Sequence, residues 1–277
     1  MTIFQTIQKY KNSIDKLDAD LLLAFVLGKS REFIATNPKH KIPLLQKIRF
    51  AYLVSKRKAG WSVAVLTKHK EFFGLDFKVN KNVLIPRPDT EIMVEKVLEI
   101  VNSKTTLIDV GTGSGCVPIS IIKKGLSINS SSKNVFAVDV SKKALKIAKQ
   151  NANTHNVKIA FLKGNLLSIF SKLPEQTIIT ANLPYLTEKQ FQEEKSIQKE
   201  PKLALVAKES GLGLYRKLLE QIKDKKIQKQ KINIFLEINP EQKTELSKII
   251  KNIFSNPKTH FYKDLSNRIR IVKISLK

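Results

Sequence analysis

The chain has 277 residues, of which 42% are hydrophobic and 27% are charged. These proportions are ordinary for a globular protein. They exclude long disordered regions and collagen-like repeats, and the length predicts roughly two domains. Basic residues outnumber acidic residues by 50 to 24, which gives a formal net charge of +26 at pH 7.

The positive charge has two interpretations. Proteins that bind RNA, DNA or an anionic membrane often carry such an excess. However, the basic residues are 43 lysines and 7 arginines, whereas proteins that recognise phosphates or bases usually use arginine. The lysines are scattered, apart from a cluster at residues 223–231. We therefore favour a compositional bias of the surface over nucleic-acid binding, which the charge alone would allow.

Several classes of protein are not expected from this sequence. The longest apolar run, at residues 21–28, is far shorter than the ~20 residues that span a bilayer, so we expect no membrane partner. The N-terminus lacks the basic and apolar regions of a secretory signal. The single cysteine, Cys116, and four widely spaced histidines predict neither disulfides nor a metal site, and they fit a cytoplasmic protein.

Residues 1–72 are predicted to form a small helical domain. Two groups of apolar residues recur at spacings of three and four, as on one face of a helix. The groups are Leu17, Leu21, Leu22, Phe25 and Val26, and Leu44, Leu45, Ile48 and Tyr52. Pro38 and Pro43 mark a turn between the two helices.

Residues 73–90 are predicted to link this domain to the rest of the chain through a β-hairpin. Apolar residues interspersed with Gly74 and Asn80 are typical of a hairpin. The segment IPRPDTE follows at residues 85–91, where two prolines favour an extended chain. Asp89 or Thr90 is expected to cap a helix that begins near Glu91.

Residues 91–277 show strands and helices in alternation. Strands are predicted at residues 106–110, 135–139, 159–162, 178–181, 232–238 and 269–274. Helices are predicted between them, for example at residues 142–153 and 213–222. This alternation predicts the α/β class, with a doubly wound, Rossmann-like sheet.

A glycine-rich loop is the most distinctive local motif, with the sequence DVGTGSG at residues 109–115. It follows an apolar strand and opens a helix. Its backbone can therefore approach a ligand closely, and its N–H groups can face a polar or anionic group. The candidate binding residues are Gly111, Thr112, Gly113, Ser114 and Gly115.

Polar residues after the next two strands extend this candidate site. Asp139 ends one strand, where a carboxylate can accept both hydroxyls of a ribose; capping the next helix is its alternative role. Asn165 and Leu166 follow the third strand and could hold an adenine, although an Asn in a turn is the simpler interpretation. NAD and S-adenosylmethionine both fit these motifs, so a hydride-transfer enzyme remains an alternative at this point.

The sequence Asn182–Leu183–Pro184–Tyr185, after the fourth strand, favours S-adenosylmethionine over NAD as the cofactor. It is a pattern of S-adenosylmethionine-dependent methyltransferases that act on a planar NH₂ group, whose nitrogen is a poor nucleophile because its lone pair is delocalised. The side-chain oxygen of Asn182 and the carbonyl of Leu183 can each accept one N–H, which orients the nitrogen for attack. Pro184 stiffens the loop, and Tyr185 can stack on the flat group.

Together these residues resemble the release-factor glutamine methyltransferases, the HemK/PrmC family. The most specific segment is LIPRPDTE at residues 84–91, preceded by EFFGLDFKV at residues 71–79. The motifs DVGTGSGCVPIS and AVDVS and residues 199–221 resemble the family's catalytic domain in order and spacing. The resemblance implies that S-adenosyl-L-methionine is the cofactor. The implied substrate is the side-chain amide nitrogen of the Gln in the Gly-Gly-Gln motif of peptide chain release factors.

The resemblance also implies roles for individual residues. It implies that the loop from Gly111 to Gly115 and Asp139 hold S-adenosylmethionine, with Asn165 and Leu166 beside the adenine. It implies that the substrate Gln binds at Asn182, Leu183, Pro184 and Tyr185, with Asn182 and Tyr185 as the catalytic residues and Arg87 and Pro88 shaping the site. Residues 1–72 would recognise the substrate, and methyl transfer would be direct and in line.

The sequence departs from the family pattern at three places. Leu183 stands where the family usually has a second Pro, which keeps the backbone carbonyl but loses the fixed φ of proline. Asn165 stands where an Asp is usual, so one acceptor is kept and a charge is lost. Asn239 and Pro240 follow Leu-Glu-Ile where the family often has Gly.

Two other functions remain as alternatives. Ribosomal RNA adenine dimethyltransferases also carry Asn-Leu-Pro-Tyr, and the N6 group of adenine poses the same geometric problem, so an rRNA or DNA adenine-N6 methyltransferase is the main rival. Those enzymes resemble a catalytic domain with a helical domain after it, whereas the helical domain predicted here comes first. A catalytically inactive RNA-binding or ribosome-binding protein of the same fold is the third candidate.

Overall fold

The computed structural model describes residues 1–125, 134–225 and 230–276. The chain divides into two compact units. The smaller unit comprises Met1–His69 with Glu194–Lys199, and the larger comprises Lys70–Glu193 with Glu200–Lys277. The segment 73–90, which the sequence predicts as a linker, falls within the larger unit. Residues 226–229 of the predicted lysine cluster lie outside the described residues.

The smaller unit is helical, as the apolar spacing predicts. Its helices are α1 (Ile3–Tyr10), α2 (Lys16–Leu27), α3 (Arg31–Thr36), α4 (Leu44–Lys58) and α5 (Val63–Thr67). Gly28 ends α2 in the left-handed conformation, with φ +63°. Buried residues of α2 and α4 form most of the core, including Leu22, Leu23, Phe50 and Val54.

The predicted helices are confirmed, and the apolar residues at these spacings differ in burial. In α2, Leu17 and Leu21 are exposed, and Leu22 and Val26 are buried. In α4, the apolar group is exposed throughout, because Phe50, Leu53 and Val54 on another face supply the core contacts. We call the exposed group the α4 apolar stripe; its members are Leu44, Leu45, Ile48 and Tyr52, with exposed fractions from 58% to 80%.

A β-hairpin and a short linking segment precede the main sheet. The hairpin pairs β1 (His69–Phe72) with β2 (Leu75–Lys78), which confirms the predicted hairpin. A 3₁₀ helix at Pro88–Thr90 then leads into α6 (Glu91–Leu98). The buried Asn151 holds β2 in place, because its side chain accepts from the Lys78 N–H at 2.8 Å and donates to the Lys78 carbonyl at 3.0 Å.

The larger unit is built on a seven-stranded sheet. Its strands are β3 (Thr106–Val110), β4 (Val135–Asp139), β5 (Ala160–Lys163), β6 (Gln176–Ala181), β7 (Lys231–Glu237), β8 (Lys258–Lys263) and β9 (Ile269–Leu276). They lie in the order β5-β4-β3-β6-β7-β9-β8. The first five strands are parallel, and β9 pairs antiparallel with both β7 and β8.

Helices cover both faces of the sheet, as in a doubly wound α/β fold, so the predicted fold class is confirmed. They are α7 (Cys116–Lys124), α8 (Lys142–Thr154), α10 (Gly213–Asp224) and α11 (Lys243–Ile253), together with α6 and the short α9 (Glu188–Glu193). One buried cluster includes Leu218 of α10 and Ile250 of α11, and the other includes Met93 of α6 and Ile119 of α7. Across residues 1–125, 134–225 and 230–276, every helix is too short or too polar to cross a bilayer.

The strand order places the loops that matter for function. The chain leaves β3 and continues to β4 on one side, and β6 pairs on the other side of β3. The order of strands therefore reverses at β3, and ligands of such sheets bind in the crevice beyond the carboxyl ends of the strands at this point. The glycine-rich loop, Asp139 and Asn182 all follow strands that end there.

Candidate active site

A cavity of about 340 Å³ lies at the carboxyl ends of β3, β4 and β6. Most of the residues predicted from the sequence line it. These are Arg87, Gly111, Thr112, Gly113, Ser114, Asp139, Asn165, Leu166, Asn182, Leu183 and Pro184. Three predicted residues, Gly115, Pro88 and Tyr185, lie next to lining residues in the sequence but are outside the lining.

The glycine-rich loop has the backbone conformation that its glycines allow. Gly111, Gly113 and Gly115 all have positive φ, at 73°, 55° and 80°, a region that other residues rarely adopt. A Cβ added to Gly111 would lie 2.9 Å from Cδ2 of Leu183. A side chain at Gly111 would therefore require the Leu183 side chain to move, in addition to the strain of a positive φ.

Asp139 binds the glycine-rich loop with one carboxylate oxygen. Oδ2 accepts from the Gly113 N–H at 3.0 Å, and Oδ1 accepts from the Ser141 N–H at 2.8 Å. Burial raises the pKa of Asp139, and these backbone hydrogen bonds oppose the rise. Ser141, rather than Asp139, caps α8. Because each carboxylate oxygen can accept more than one hydrogen bond, Asp139 can also accept ligand hydroxyls.

A second carboxylate, Asp109, lies beneath the same loop. It is buried at the end of β3, and its Oδ1 accepts from the Thr180 hydroxyl at 2.6 Å. Burial raises the pKa of Asp109 to about 6, although hydrogen bonds from Thr112 and Thr180 oppose the shift. Asp109 lines the cavity, so the cavity wall gains negative charge as the pH rises through that value.

Asn182 is held by one side of its amide group. Its Nδ2 donates to Oγ1 of Thr90 at 3.2 Å. Its Oδ1 is buried, and no donor among the described residues bonds to it. This arrangement leaves the oxygen as an acceptor for a ligand. Thr90 does not cap α6 with its side chain, contrary to expectation, because its own backbone is already helical, with φ −69° and ψ −19°. Its hydroxyl donates to Glu237.

Residues that are distant in sequence support the loop at Asn182–Tyr185. The Tyr215 hydroxyl, which is buried in α10, accepts from the Leu183 N–H at 3.2 Å. Nε2 of Gln242 donates to the Tyr185 carbonyl at 3.2 Å and to the Ser210 carbonyl at 3.0 Å. The sequence reasoning did not identify Tyr215 or Gln242, since neither belongs to a recognisable local motif.

Gly211 packs against this loop so closely that we expect Gly211→Ala to disturb it. Its φ is +84°, and an added Cβ would overlap the carbonyl oxygen of Tyr185. We expect the free energy of unfolding to fall by at least about 1 kcal/mol, and kcat to fall with it because the loop must shift. Chemical denaturation and an assay of the methyl transfer that the sequence predicts measure the two effects.

Gly28→Ala is the matched control for this substitution. Gly28 also has positive φ, but no atom lies within 4 Å of its added Cβ. The control should lose stability and keep its kcat. A Gly211→Ala enzyme with full kcat would show that the contact with Tyr185 does not set the geometry of the loop.

Arg87 is fixed by a buried carboxylate. It pairs with Oε1 of Glu200, and Oε2 of Glu200 also accepts from the Ile85 N–H at 3.1 Å. Glu200 is largely buried, so this pair ties the segment before α6 to the chain that follows α9. The neighbouring Pro88 is exposed and begins the 3₁₀ helix.

Tyr185 is half-buried beside several charged groups. Burial raises the pKa of its hydroxyl; the charge of Glu237 acts in the same direction, and Arg270 and Arg87 oppose it. Arg270 in turn pairs with Asp89 at 3.1 Å. The hydroxyl therefore stays protonated at neutral pH. Stacking of Tyr185 on a substrate stays a prediction.

Comparison with known proteins identifies the family. The family model of the PrmC N-terminal domain matches residues 3–67, and that of ribosomal protein L11 methyltransferase (PrmA) matches residues 87–189. The release factor glutamine methyltransferase of Clostridium acetobutylicum is 35% identical over 242 residues, which cover 85% of this chain and 82% of that protein. The chain belongs to the release factor glutamine methyltransferase family.

Two further relatives extend the match to more than nine tenths of the chain. The release factor glutamine methyltransferase of Bacillus subtilis is 32% identical and covers 92% of this chain and 89% of its own. The Bacillus anthracis protein of the same name is 30% identical and covers 95% and 93%. The predicted enzyme class and cofactor are thereby confirmed: members of this family are methyltransferases that depend on S-adenosylmethionine.

A distant solved structure supports the fold alone. The hMettl16 catalytic domain, solved in complex with a 3′UTR hairpin, aligns with a TM-score of 0.58 and covers 92% of both chains. Its sequence identity is 15%, so this likeness bears on the architecture and not on the substrate. Within the described part of the chain, no three His, Cys, Asp or Glu side chains are grouped as a metal site requires.

Proposed function

We propose that this enzyme methylates the side-chain amide nitrogen of the Gln in the Gly-Gly-Gln motif of peptide chain release factors. The observation that carries the proposal is the unpartnered Oδ1 of Asn182 at the cavity. The carbonyl of Leu183, the next lining residue, would be the second acceptor. A planar NH₂ group has two hydrogens in fixed directions, and two neighbouring acceptors match it. Because release factors act at ribosomes, we place the reaction in the cytoplasm.

The residues around the cavity fit S-adenosylmethionine. Gly111 and Gly113 line the cavity without side chains, so a ligand can approach the backbone of the loop there. Asp139 bonds to the same loop and keeps acceptor capacity for ribose hydroxyls. Leu166 adopts φ +56°, a costly conformation for a leucine that is typical of functional sites. Gly111–Gly115 and Asp139 would hold the cofactor, with Asn165 and Leu166 beside its adenine.

The protein's part in the reaction is to orient the nitrogen and to accept its hydrogens. When bound, S-adenosylmethionine supplies an electrophilic methyl group on a sulfonium. Oδ1 of Asn182 and the carbonyl of Leu183 bind the two N–H groups and direct the lone pair at that carbon. Transfer would be direct, from the sulfur of the cofactor to the nitrogen that these two acceptors hold in line with it. The methylated nitrogen then releases one hydrogen to water as a proton. The acceptors stabilise the positive charge that develops on nitrogen.

A substrate panel tests this function. The enzyme is incubated with S-adenosylmethionine labelled in its methyl group and with a release factor, the same factor with Ala for the Gln of Gly-Gly-Gln, or ribosomal RNA. We expect label on the unmodified release factor alone. Label on ribosomal RNA would support the adenine-N6 alternative that the sequence Asn-Leu-Pro-Tyr allows, and it would overturn the proposal.

We further propose that the smaller unit recognises the release factor, through the α4 apolar stripe. Monomers rarely expose a contiguous apolar surface without a binding role. The stripe is accompanied on α4 by Lys47, Arg49 and Lys56, so the surface combines apolar side chains with positive charge. Such a surface fits an acidic protein face with apolar residues at its centre.

Replacing one apolar residue of the stripe with an acidic residue tests this surface. Leu45, the most exposed member of the stripe, is replaced by Glu. We expect the KM for the release factor to rise about tenfold with kcat at saturation unchanged, because an anchor of this size contributes about 1–2 kcal/mol to binding. Initial-rate kinetics at varied release-factor concentration measure the change.

Leu265→Glu is the matched control, since Leu265 is fully exposed but outside the stripe. Its KM should equal that of the wild type. An unchanged KM for Leu45→Glu would remove the stripe from substrate recognition. A dimer of the wild type that Leu45→Glu dissociates would instead assign the stripe to contact between two copies of the chain.

A further inference from the structure

A buried chain of hydrogen bonds connects Glu237 to the side chain of Asn182. Glu237 ends β7, and Thr90 ends the 3₁₀ helix before α6; both are buried. The Thr90 hydroxyl donates to Oε2 of Glu237 at 2.5 Å, and Nδ2 of Asn182 donates to Oγ1 of Thr90 at 3.2 Å. The three residues are far apart in sequence, so only the fold brings them together.

The chemistry of the groups fixes the direction of this chain. An ionised carboxylate only accepts hydrogen bonds, and a threonine hydroxyl has a single hydrogen. Thr90 therefore donates its hydrogen to Glu237, and its oxygen is left only to accept. The group of Asn182 that faces Thr90 must then be the NH₂. An amide without such a neighbour can be turned either way round.

The backbone of Glu237 supports the second acceptor. Its carbonyl accepts a hydrogen bond from the Tyr215 hydroxyl. The same hydroxyl oxygen accepts from the Leu183 N–H at 3.2 Å and lies 3.2 Å from the Leu183 carbonyl. Because the single hydroxyl hydrogen is directed to Glu237, the Leu183 carbonyl keeps its acceptor capacity for a ligand.

We propose that Glu237 is the positioning residue of this site, acting through Thr90 to keep the oxygen of Asn182 turned toward the substrate. The inference rests on the proposed function, since a substrate NH₂ needs two acceptors side by side. With the Asn182 amide reversed, its NH₂ would face the NH₂ of the substrate, donor against donor. Glu237 would thus decide whether the site recognises an amide, without contacting it.

The hydrogen bonds that run from Glu237 through Thr90 to Asn182, here called the relay, depend on pH because Glu237 can ionise. Burial and, less strongly, the charge of Asp89 raise the pKa of Glu237 to about 7, against the opposing effects of Thr90, Arg270 and Asn182. The other titratable groups that face it are Tyr215, Tyr185 and Cys116. A protonated Glu237 can donate to Thr90, whose hydroxyl can then donate to the oxygen of Asn182. The amide is thereby released to turn, so kcat should fall as the pH is lowered through about 7.

Substitutions at Thr90 test the relay directly. Thr90→Val removes the hydroxyl and keeps the shape of the buried side chain. We expect its kcat to fall about tenfold to 100-fold, with the KM for the release factor and the affinity for the cofactor close to those of the wild type. Thr90→Ser keeps the hydroxyl and should restore most of kcat. Thr177→Val, in a buried Thr of β6 whose hydroxyl bonds only to the Pro174 carbonyl, is the matched control and should keep its kcat.

The variant Glu237→Gln tests the effect of Glu237 on the orientation of Asn182 separately from its effect on the stability of the fold. An amide can donate or accept, so Thr90 would no longer be constrained. We expect a lower kcat that has lost the fall centred near pH 7, while any effect of Asp109, whose pKa is about 6, remains. The folded-state pKa of about 7 lies above the ordinary 4.5, so the stability that Glu237 contributes falls as the pH rises from about 4.5 to 7 and stays at its lowest above 7. The Tm of Glu237→Gln at about pH 8 should therefore not fall below that of the wild type.

A spectroscopic readout keeps this test separate from the test of the proposed function. The side-chain NH₂ signals of Asn182, assigned by their loss in Asn182→Ala, should shift with a midpoint near pH 7 in the wild type and not in Glu237→Gln. If the wild type methylates the release factor and the Thr90→Val variant keeps its full kcat, the relay is overturned and the proposed function stands. A wild type that methylates no release factor would overturn the proposed function alone. Asn182 signals that do not respond to pH would overturn the relay in either case.

Discussion

Replacing Asn182 with Ala is expected to lower kcat by about 100-fold to 1000-fold while the affinity for S-adenosylmethionine changes little. The substitution removes Oδ1, the side-chain acceptor that no donor among the described residues uses. Without it, one N–H of the substrate amide loses its partner, and the nitrogen lone pair is no longer directed along the line of transfer. Single-turnover rates and equilibrium binding of the cofactor measure the two quantities.

Two companion variants sharpen this test. Asn252→Ala, an exposed Asn in α11, is the matched control and should be unchanged. Asn182→Asp keeps oxygen atoms at the site but cannot donate to Thr90, and it places a carboxylate near Glu237; we expect it to be nearly as inactive as Asn182→Ala. A loss of cofactor affinity with an intact kcat would show that Asn182 serves the cofactor and not the reaction.

Replacing Asp139 with Ala is expected to weaken cofactor binding by about tenfold to 100-fold. A hydrogen bond to a charged group contributes about 1.5–3 kcal/mol, and each 1.4 kcal/mol is tenfold in affinity. The substitution also removes the acceptor that holds the Gly113 N–H, so the glycine-rich loop loses an anchor. Calorimetric titration with S-adenosylhomocysteine measures the affinity.

Asp139→Asn distinguishes the two contributions of Asp139. It keeps one oxygen, which can still accept from the loop, and loses the charge, so its affinity should lie between those of the wild type and Asp139→Ala. Asp224→Ala, an exposed Asp at the end of α10, serves as the control. Unchanged affinity in Asp139→Ala would remove Asp139 from the cofactor site and leave only its structural hydrogen bonds.

The parts of the fold that were predicted from the sequence have strong local patterns. The strands at Thr106–Val110 and Val135–Asp139 were predicted to the residue, since each is an apolar run that ends at a polar or glycine-rich turn. Strand β8 was missed because it lies at the edge of the sheet. Its residues are exposed or half-buried, so no continuous apolar run marks it. The α4 apolar stripe shows the converse, an apolar helical face that the core does not use.

In the candidate site too, some residues belong to local motifs that the sequence shows and others do not. The glycine-rich loop, Asp139 and Asn182 are local motifs after strands, and the switch in strand order brings them to one cavity. Thr90 and Glu237 are separated by 147 positions, and Thr90 and Asn182 by 92. No spacing rule connects such residues. Their contribution depends on which hydrogen-bond donors meet which acceptors after folding.

The structure changes the interpretation of the net charge of +26. The acceptors of the cavity suit a substrate that donates hydrogen bonds, and the family membership assigns the enzyme class independently of charge. We propose a narrower role for the basic surface, which is to attract an acidic protein face. If so, the association rate with the release factor should fall steeply as the ionic strength is raised.

Mapping the methyl group on a treated release factor tests the central claim most directly. The factor is incubated with the enzyme and S-adenosylmethionine, digested, and sequenced by tandem mass spectrometry. Our account predicts one added methyl group, on the side-chain amide of the Gln of Gly-Gly-Gln, and none when Asn182→Ala replaces the wild type. A methyl group on any other residue, or an unmodified factor beside methylated ribosomal RNA, would contradict it.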